Sequence, residues 1–459
     1  MVITQIINDI LHSAIFWAAW IIIPFIMEII PAFGNIFLLI KKYFDKKNIP
    51  DIDYYPEISV IMPIYNSADT LEACIRSIND SNYPNNKIRV FLVNNQGQDN
   101  SFDIYAKCQN DFPEIRMQWM NAKQGKSRAL NMALFNSEGK YIINIDSDGI
   151  LEKSALKNLV HRFETDPDID CMTGVILTRP DIIEKYKRGI ERLVRKLEFV
   201  EYAQAFLAGR NYATETNSIY TLSGAFSAFR KSSVLKSQLY NTDTICEDTH
   251  ITFQMKYLYG AKVGLCEDAI FFVDPIESID KLYTQRQRWQ RGSLEVSHMF
   301  LSKALKVRNM FTNASVRTLV YDHTFAFPRA IWYLAVLCLL FMGYSGKIIL
   351  YSMGVIFLLY IIVGYLYYFS ILKYLKKFQD IRKYYKKRWG SIPLLLIFNF
   401  VIFFIRFAGI INSIGTDSAW KTDNIHEERD KVDNVIHMEF KRINDMKARM
   451  ERVFNNDEE

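Results

Sequence analysis

Apolar residues gather into long blocks toward the two ends of the chain and into short runs between them. Residues 11–40 are apolar apart from His12, Glu28 and Asn35, with Pro24 and Pro31 interrupting the run. At 1.5 Å of rise per residue, roughly twenty apolar residues cross the hydrocarbon of a bilayer, so this block predicts one kinked membrane helix. Glu28 works against that reading, because an acid at mid-helix costs about 2.5–3.5 kcal/mol; two short interfacial helices would avoid the cost. Three further apolar stretches, residues 325–346, 348–372 and 391–416, predict about three membrane segments, with Arg329 flanking the first and Arg406 interrupting the last. Over residues 54–275 the period changes. Short apolar runs at 58–63, 89–94 and 140–146 read as strands, and 70–82 reads as a helix with Asp69 or Ser67 as its N-cap and Pro84 beyond its end. Strands alternating with helices predict an α/β domain with a mostly parallel, doubly wound sheet, which binds ligands at the carboxyl ends of its strands.

Charge orients these elements. Between the second and third late stretches stand eight cations, Lys373, Lys376, Lys377, Arg382, Lys383, Lys386, Lys387 and Arg388, against the single acid Asp380. Lys41, Lys42, Lys46 and Lys47 follow the first block. Loops rich in Lys and Arg stay on the cytoplasmic side, so a multi-pass protein of the cell membrane with a cytoplasmic soluble domain is expected. The expected organisation is a membrane helix over 1–48, the soluble domain over 49–278, interfacial amphipathic helices over 279–322, membrane segments over 323–416 and a charged tail over 417–459. The net charge of +6, from 56 Lys and Arg against 50 Asp and Glu, is too diffuse to mark a nucleic-acid partner. The six cysteines form no C-x-x-C pair and read as free thiols. The seven histidines show no spacing of a zinc site. Met1 opens a segment without a basic leader, so no cleaved signal peptide is expected.

Candidate chemistry collects at the ends of the predicted strands. Asp146-Ser147-Asp148 follows an apolar strand, and hard carboxylate oxygens of that kind suit Mg²⁺ or Mn²⁺; a solvated surface turn explains the same triplet. Glu247-Asp248 opens a helix-like run and reads either as a functional pair or as ordinary helix N-capping. Residues 285–289, Gln-Arg-Gln-Arg-Trp, combine guanidinium groups that grip phosphate oxygens with an indole that stacks on a sugar ring, or else they anchor a helix at a membrane surface. Lys126 follows Gly125 at a helix start and could hold phosphate. Pro63, Tyr65 and Asn66 end the first strand, and Ser223-Gly224-Ala225 reads as a tight turn.

In order along the chain, residues 63–66, 125–131, 146–148, 223–225, 247–248 and 285–289 resemble the motif series of the membrane-embedded family 2 glycosyltransferases. That family includes cellulose, hyaluronan and poly-N-acetylglucosamine synthases, and the resemblance covers roughly residues 55–295. It implies a GT-A fold and inverting, metal-dependent transfer, with Asp146 and Asp148 holding Mg²⁺ or Mn²⁺ on the donor diphosphate and Asp248 as the general base. Pro63, Tyr65, Asn66, Asn94, Asn95, Lys126, Gln285 and Arg288 would bind the nucleotide and its diphosphate. Trp289, Ser223, Gly224 and Glu247 would bind the acceptor.

One departure stands out. Where the family carries an Asp-Asp pair for the base, this chain has Asn94-Asn95, whose side-chain carbonyls accept hydrogen bonds without a charge. The resemblance implies a nucleotide-sugar donor (a UDP-sugar first), a glycan or lipid-linked acceptor, membrane lipid around the helices and polysaccharide-export partners. Single-sugar transfer to a lipid or protein, and a catalytically weakened scaffold subunit, are the alternatives.

Overall fold

The computed structural model describes residues 29–45, 54–302, 316 and 338–415. At its centre lies an eight-stranded sheet. Its strands are β1 (Ile58–Ile64), β2 (Ile88–Asn94), β3 (Arg116–Asn121), β4 (Tyr141–Ile145), β5 (Gly149–Leu151), β6 (Ile169–Thr178), β7 (Phe226–Arg230) and β8 (Lys262–Val273). They run in the order β3-β2-β1-β4-β7-β6-β8-β5. Helices cover both faces, which is why β1, β4 and β6 are near-continuous apolar runs rather than alternating ones. Tyr141 stacks on Phe163 at 4.6 Å beneath this layer.

The sheet is mixed: six of its eight strands run the same way, as the mostly parallel strand pattern suggested, and two are reversed. β1 pairs in parallel with β2 and β4, β2 with β3, and β6 with β8. β7, however, runs antiparallel to both β4 and β6, and β5 antiparallel to β8. Side-chain alternation is the same in either strand direction, so the residues 226–230 carry no local sign of their reversal.

The first helix of the domain runs Ala68–Asn79, within two to three residues of its expected limits. Its capping is different. Ser67 occupies the cap position, yet its hydroxyl lies 2.7 Å from Ser147 Oγ, and the free Ala68 N–H donates to Asp99 Oδ2 at 2.7 Å. A carboxylate from thirty-one residues away thus does what Ser67 or Asp69 was expected to do.

Among the described residues, two helices are long and apolar enough to cross a membrane, Ile349–Lys377 and Trp389–Asn412. They overlap the expected stretches 348–372 and 391–416; most of 325–346, and residues 11–28 of the first block, lie outside the described residues. Both helices are tied to the rest of the chain by polar contacts. Arg406 Nε donates to Gln290 Oε1 at 2.9 Å, and Asn412 Nδ2 to Gln287 Oε1 at 3.4 Å, so the charge that interrupts the last apolar stretch is held by the helix Ile279–Leu301. In the basic loop, Lys377 pairs with Asp268 at 2.7 Å and Arg388 with Glu184 at 2.6 Å. The helix Ile30–Asp45 joins the same bundle, with Tyr374 Oη donating to Leu39 O at 2.9 Å.

Candidate active site

Two clusters form at the carboxyl ends of the central strands. The first is neutral. β1 and β2 end side by side, with Ile64 opposite Asn94, and the loops beyond them turn through positive φ at Asn66 (49°) and Gln96 (63°). Backbone N–H groups in such tight loops need acceptors, and asparagines supply them. Asn94 Oδ1 accepts from Gly97 N at 2.9 Å, Asn66 Oδ1 from Gln98 N at 2.9 Å, and Asn95 Oδ1 from Gly125 N at 2.6 Å. The loops touch closely enough that a Cβ on Gly97 would stand 2.9 Å from Asn66 N. Asn94 Nδ2 donates to Asn121 Oδ1 at 3.2 Å. The side-chain carbonyls of Asn94 and Asn95 are thus already occupied, and Asn95 is buried. Pro63 lies within β1, and Tyr65 is exposed.

The second cluster is charged. β4 ends at Ile145, and the N–H of Asp146 donates to Ala225 O, which sets the Asp146-Ser147-Asp148 turn against the Ser223-Gly224-Ala225 turn. The expected tight turn is present, closed by Phe226 N donating to Ser223 O at 3.1 Å. Lys126 opens the helix Lys126–Asn136 and sends its ammonium between the acids: Nζ lies 2.6 Å from Asp146 Oδ1, 3.5 Å from Glu247 Oε1 and 3.4 Å from Gly224 O. Burial opposes its charge, but Asp146, Glu247 and Asp248 together outweigh burial and raise its pKa. Glu247 and Asp248 open the helix Glu247–Phe253. Asp248 is held at both oxygens, Oδ2 by Gly224 N–H at 3.0 Å and Oδ1 by Thr249 N–H at 2.6 Å.

Four carboxylates therefore face one ammonium. Burial first, and the neighbouring charge of Asp146 second, push the Asp148 carboxyl up to about 6. The buried Glu247 carboxyl is also raised, with Lys126 opposing the shift and Asp248 adding to it. Among the described residues, no three His, Cys, Asp or Glu side chains stand close enough to enclose a metal ion by themselves.

The helix Ile279–Leu301 brings up the third expected group. It packs against the start of the Glu247–Phe253 helix so tightly that a Cβ on Gly292 would overlap Cys246 Sγ. Gln285 Oε1 is enclosed without a hydrogen-bond partner. Trp289 is oriented by a residue the motif does not feature: the Arg286 guanidinium stacks on the indole at 4.6 Å while its Nη2 pairs with Glu201 Oε2 at 2.6 Å. Nothing near Arg286 in sequence announces this, because Glu201 lies eighty-five residues away. The motifs also leave out Thr173, on β6, whose Oγ1 accepts from Ser223 N at 3.2 Å, and Arg210, whose Nη1 donates to that same oxygen at 3.1 Å.

Residues 59–237 match the family "Glycosyl transferase family 2". The poly-beta-1,6-N-acetyl-D-glucosamine synthases of Staphylococcus aureus and Staphylococcus epidermidis are 26% and 25% identical over 279 residues, which is 60% of this chain and 64% of theirs. The chain thus matches just under two thirds of the length of these relatives. Among solved structures, the mannosyltransferase PcManGT from Pyrobaculum calidifontis, in complex with GDP-Man and Mn²⁺, superposes with a TM-score of 0.58 at 16% identity, over 84% of this chain and 97% of that one. Residues 59–237 are thus similar to a family 2 glycosyltransferase domain, and the sheet has the GT-A fold.

Proposed function

We propose that this chain is an inverting, metal-dependent glycosyltransferase that extends a glycan from a UDP-sugar at the cytoplasmic face of the cell membrane. One juxtaposition carries the reading: Asp248, fixed by Gly224 and Thr249, stands beside Lys126, Asp146 and Glu247 at the mouth of the sheet.

Asp248 is the general base. Two backbone N–H groups aim its carboxylate and stabilise the anion, which accepts the proton of the acceptor hydroxyl as that oxygen attacks the anomeric carbon. The bond to the diphosphate breaks on the opposite side, and the anomeric configuration inverts in a single displacement. Lys126 offers its ammonium to the departing diphosphate, and Arg288 and Gln285 close over it from the Ile279–Leu301 helix. Asp146 and Asp148 fit a divalent cation as donors, since hard carboxylate oxygens outnumber the one ammonium and Mg²⁺ commonly takes one or two carboxylates with substrate phosphates. When bound, the cation would neutralise charge developing on the diphosphate. Trp289, clamped by Arg286, presents its indole face to the acceptor sugar, with Ser223, Gly224 and Glu247 around it.

On the nucleotide side, Pro63, Tyr65 and Asn66 line the base pocket. Asn95 contributes N–H donors to a base carbonyl, because Gly125 occupies its own oxygen. The apolar helices and the basic loop support a position at the cytoplasmic membrane surface, with 1–48 and 323–416 as the membrane parts.

The enzyme in detergent, given UDP-N-acetylglucosamine and other nucleotide sugars with Mn²⁺, is expected to release the nucleoside diphosphate and to lengthen a saccharide acceptor. Absence of release with every donor rejects the proposal. Product length separates chain extension from single-sugar transfer.

A further inference from the structure

Two cations flank the Ser223-Gly224 segment, and their surroundings differ in a way that bears on the acceptor. Lys126 touches Gly224 O and is neutralised by Asp146 and Glu247. Arg210 stands on the other flank. The chain reaches it through a π-helical stretch, Ala203–Gly209, and Arg210 begins the short helix Arg210–Glu215. Its Nη1 donates to Thr173 Oγ1 at 3.1 Å, and its guanidinium lies 4.6 Å over the Phe206 ring. Among the described residues no carboxylate comes within 4.0 Å of it, and Thr173 is its one hydrogen-bond partner.

Thr173 can give Arg210 nothing more. Its hydroxyl donates to Phe226 O at 2.9 Å and also accepts from Ser223 N at 3.2 Å. The next residue, Gly224, gives its N–H to Asp248 Oδ2. Arg210 is therefore tied through Thr173 to the Ser223-Gly224 turn whose next N–H holds Asp248. A guanidinium has five N–H donors and keeps its charge at any working pH. One donor is used here, and the other nitrogens are not among the enclosed polar atoms. Burial pulls the Arg210 pKa down to about 10, while the charge of Asp248 works in the opposite direction. A half-buried cation with open donors and no anionic partner is costly to maintain unless a ligand supplies the anion.

We propose that Arg210 is a specificity-determining residue of the acceptor subsite, and that it receives an anionic group, a carboxylate or a phosphate, carried by the acceptor beside its attacking hydroxyl. The inference rests on the reading of Asp248 as the base. Bidentate binding of a carboxylate or phosphate suits the planar guanidinium, and the bound anion would fix the acceptor hydroxyl relative to Asp248.

The test compares three acceptors on the full-length enzyme with one nucleotide-sugar donor: a neutral N-acetylglucosamine trimer, the same trimer ending in glucuronate, and the trimer carrying a terminal 6-phosphate. The expected wild-type result is a kcat/KM at least tenfold higher for one or both anionic acceptors, expressed mainly in KM and shrinking as salt rises. Arg210→Gln should erase the ratio between anionic and neutral acceptors, while Arg210→Lys, which keeps the charge but not the fork, should retain part of it. The glucuronate and phosphate arms identify which anion is used. On wild type alone, free glucuronate or inorganic phosphate should inhibit transfer to the neutral trimer competitively against acceptor, which keeps the inference testable if the variants fail to fold. Nucleotide release with equal preference for neutral and charged acceptors overturns this inference and leaves the proposed chemistry standing. No release with any donor and acceptor overturns both.

Discussion

The two clusters at the top of the sheet treat polar groups in opposite ways. Beyond β1 and β2 the loops are stitched by neutral amides, Asn66, Asn94 and Asn95, each giving its carbonyl to a backbone N–H. Beyond β4 and β7 the side chains are charged and out of balance, with Asp146, Asp148, Glu247 and Asp248 gathered near Lys126. A neutral carbonyl that satisfies an N–H adds no self-repulsion and makes a rigid loop. A surplus of carboxylates does add it, and at Asp148 and Glu247 that repulsion adds to burial, the larger cause, in raising the carboxyl pKa. The first cluster is complete as it stands; in the proposed reading the second takes a cation and meets charge that appears during reaction.

The sharpest way to break this contrast is at the base. Asp248→Asn keeps the shape and an acceptor oxygen for Gly224 N–H but cannot take a proton, so nucleotide release with acceptor should fall by about 10⁴-fold, the upper end for general-base catalysis. Retention of full transfer by Asp248→Asn would instead favour a scaffold role.

Lys126→Met comes next. It removes the ammonium from among buried carboxylates, and loss of one partner from such a group costs about 3–5 kcal/mol. Thermal unfolding should show that loss together with weakened turnover. An unchanged midpoint would mean that the carboxylates are already protonated or solvated.

Beneath the charged side, Glu198 is buried and its carboxyl is raised from the usual 4.5 to about 7, chiefly by burial, with the Ile276 N–H and Arg286 opposing the shift. Between those two values the folded state keeps a proton that the unfolded chain has released. Stability therefore declines as pH rises through that window. Glu198→Gln removes the titration while retaining an acceptor for Ile276 N–H. It should stabilise the protein at pH 8 by up to about 3 kcal/mol, since each pH unit between the two values contributes about 1.36 kcal/mol. The gain should vanish near pH 4, and denaturant midpoints at the two pH values decide it.

The smallest effect belongs to the neutral side. Asn95→Asp preserves an acceptor for Gly125 N–H but replaces the buried NH₂ with a charged oxygen. The donor KM should change by about tenfold, on the scale of one hydrogen bond to a charged group, with little change in kcat. An equal fall in kcat would show that the two clusters are not separable.

Much of this was legible in the residues themselves. Strand runs such as 58–63 and 89–94 are apolar because both faces are covered, and the triplet 146–148 and the pair 247–248 stood out as acids beside such runs or at a helix start. The family resemblance put those motifs in order, and the match over residues 59–237 covers the triplet but not the pair. Other features left no local trace. The N-cap of Ala68–Asn79 comes from Asp99, Trp289 is held through Arg286 and Glu201, and Arg406 is satisfied by Gln290.

Period and residue type, read over a few neighbouring positions, were enough to say which segments are apolar, where several strands and helices fall, and which acids, amides and cations stand at their ends. The direction of β7, the engagement of the Asn94 and Asn95 carbonyls, and the pairing of Lys126 but not of Arg210 came only with the folded chain. Each of those depends on which groups meet across tens to hundreds of residues, and hydrogen bonds and charges act only over the few ångströms that folding brings about.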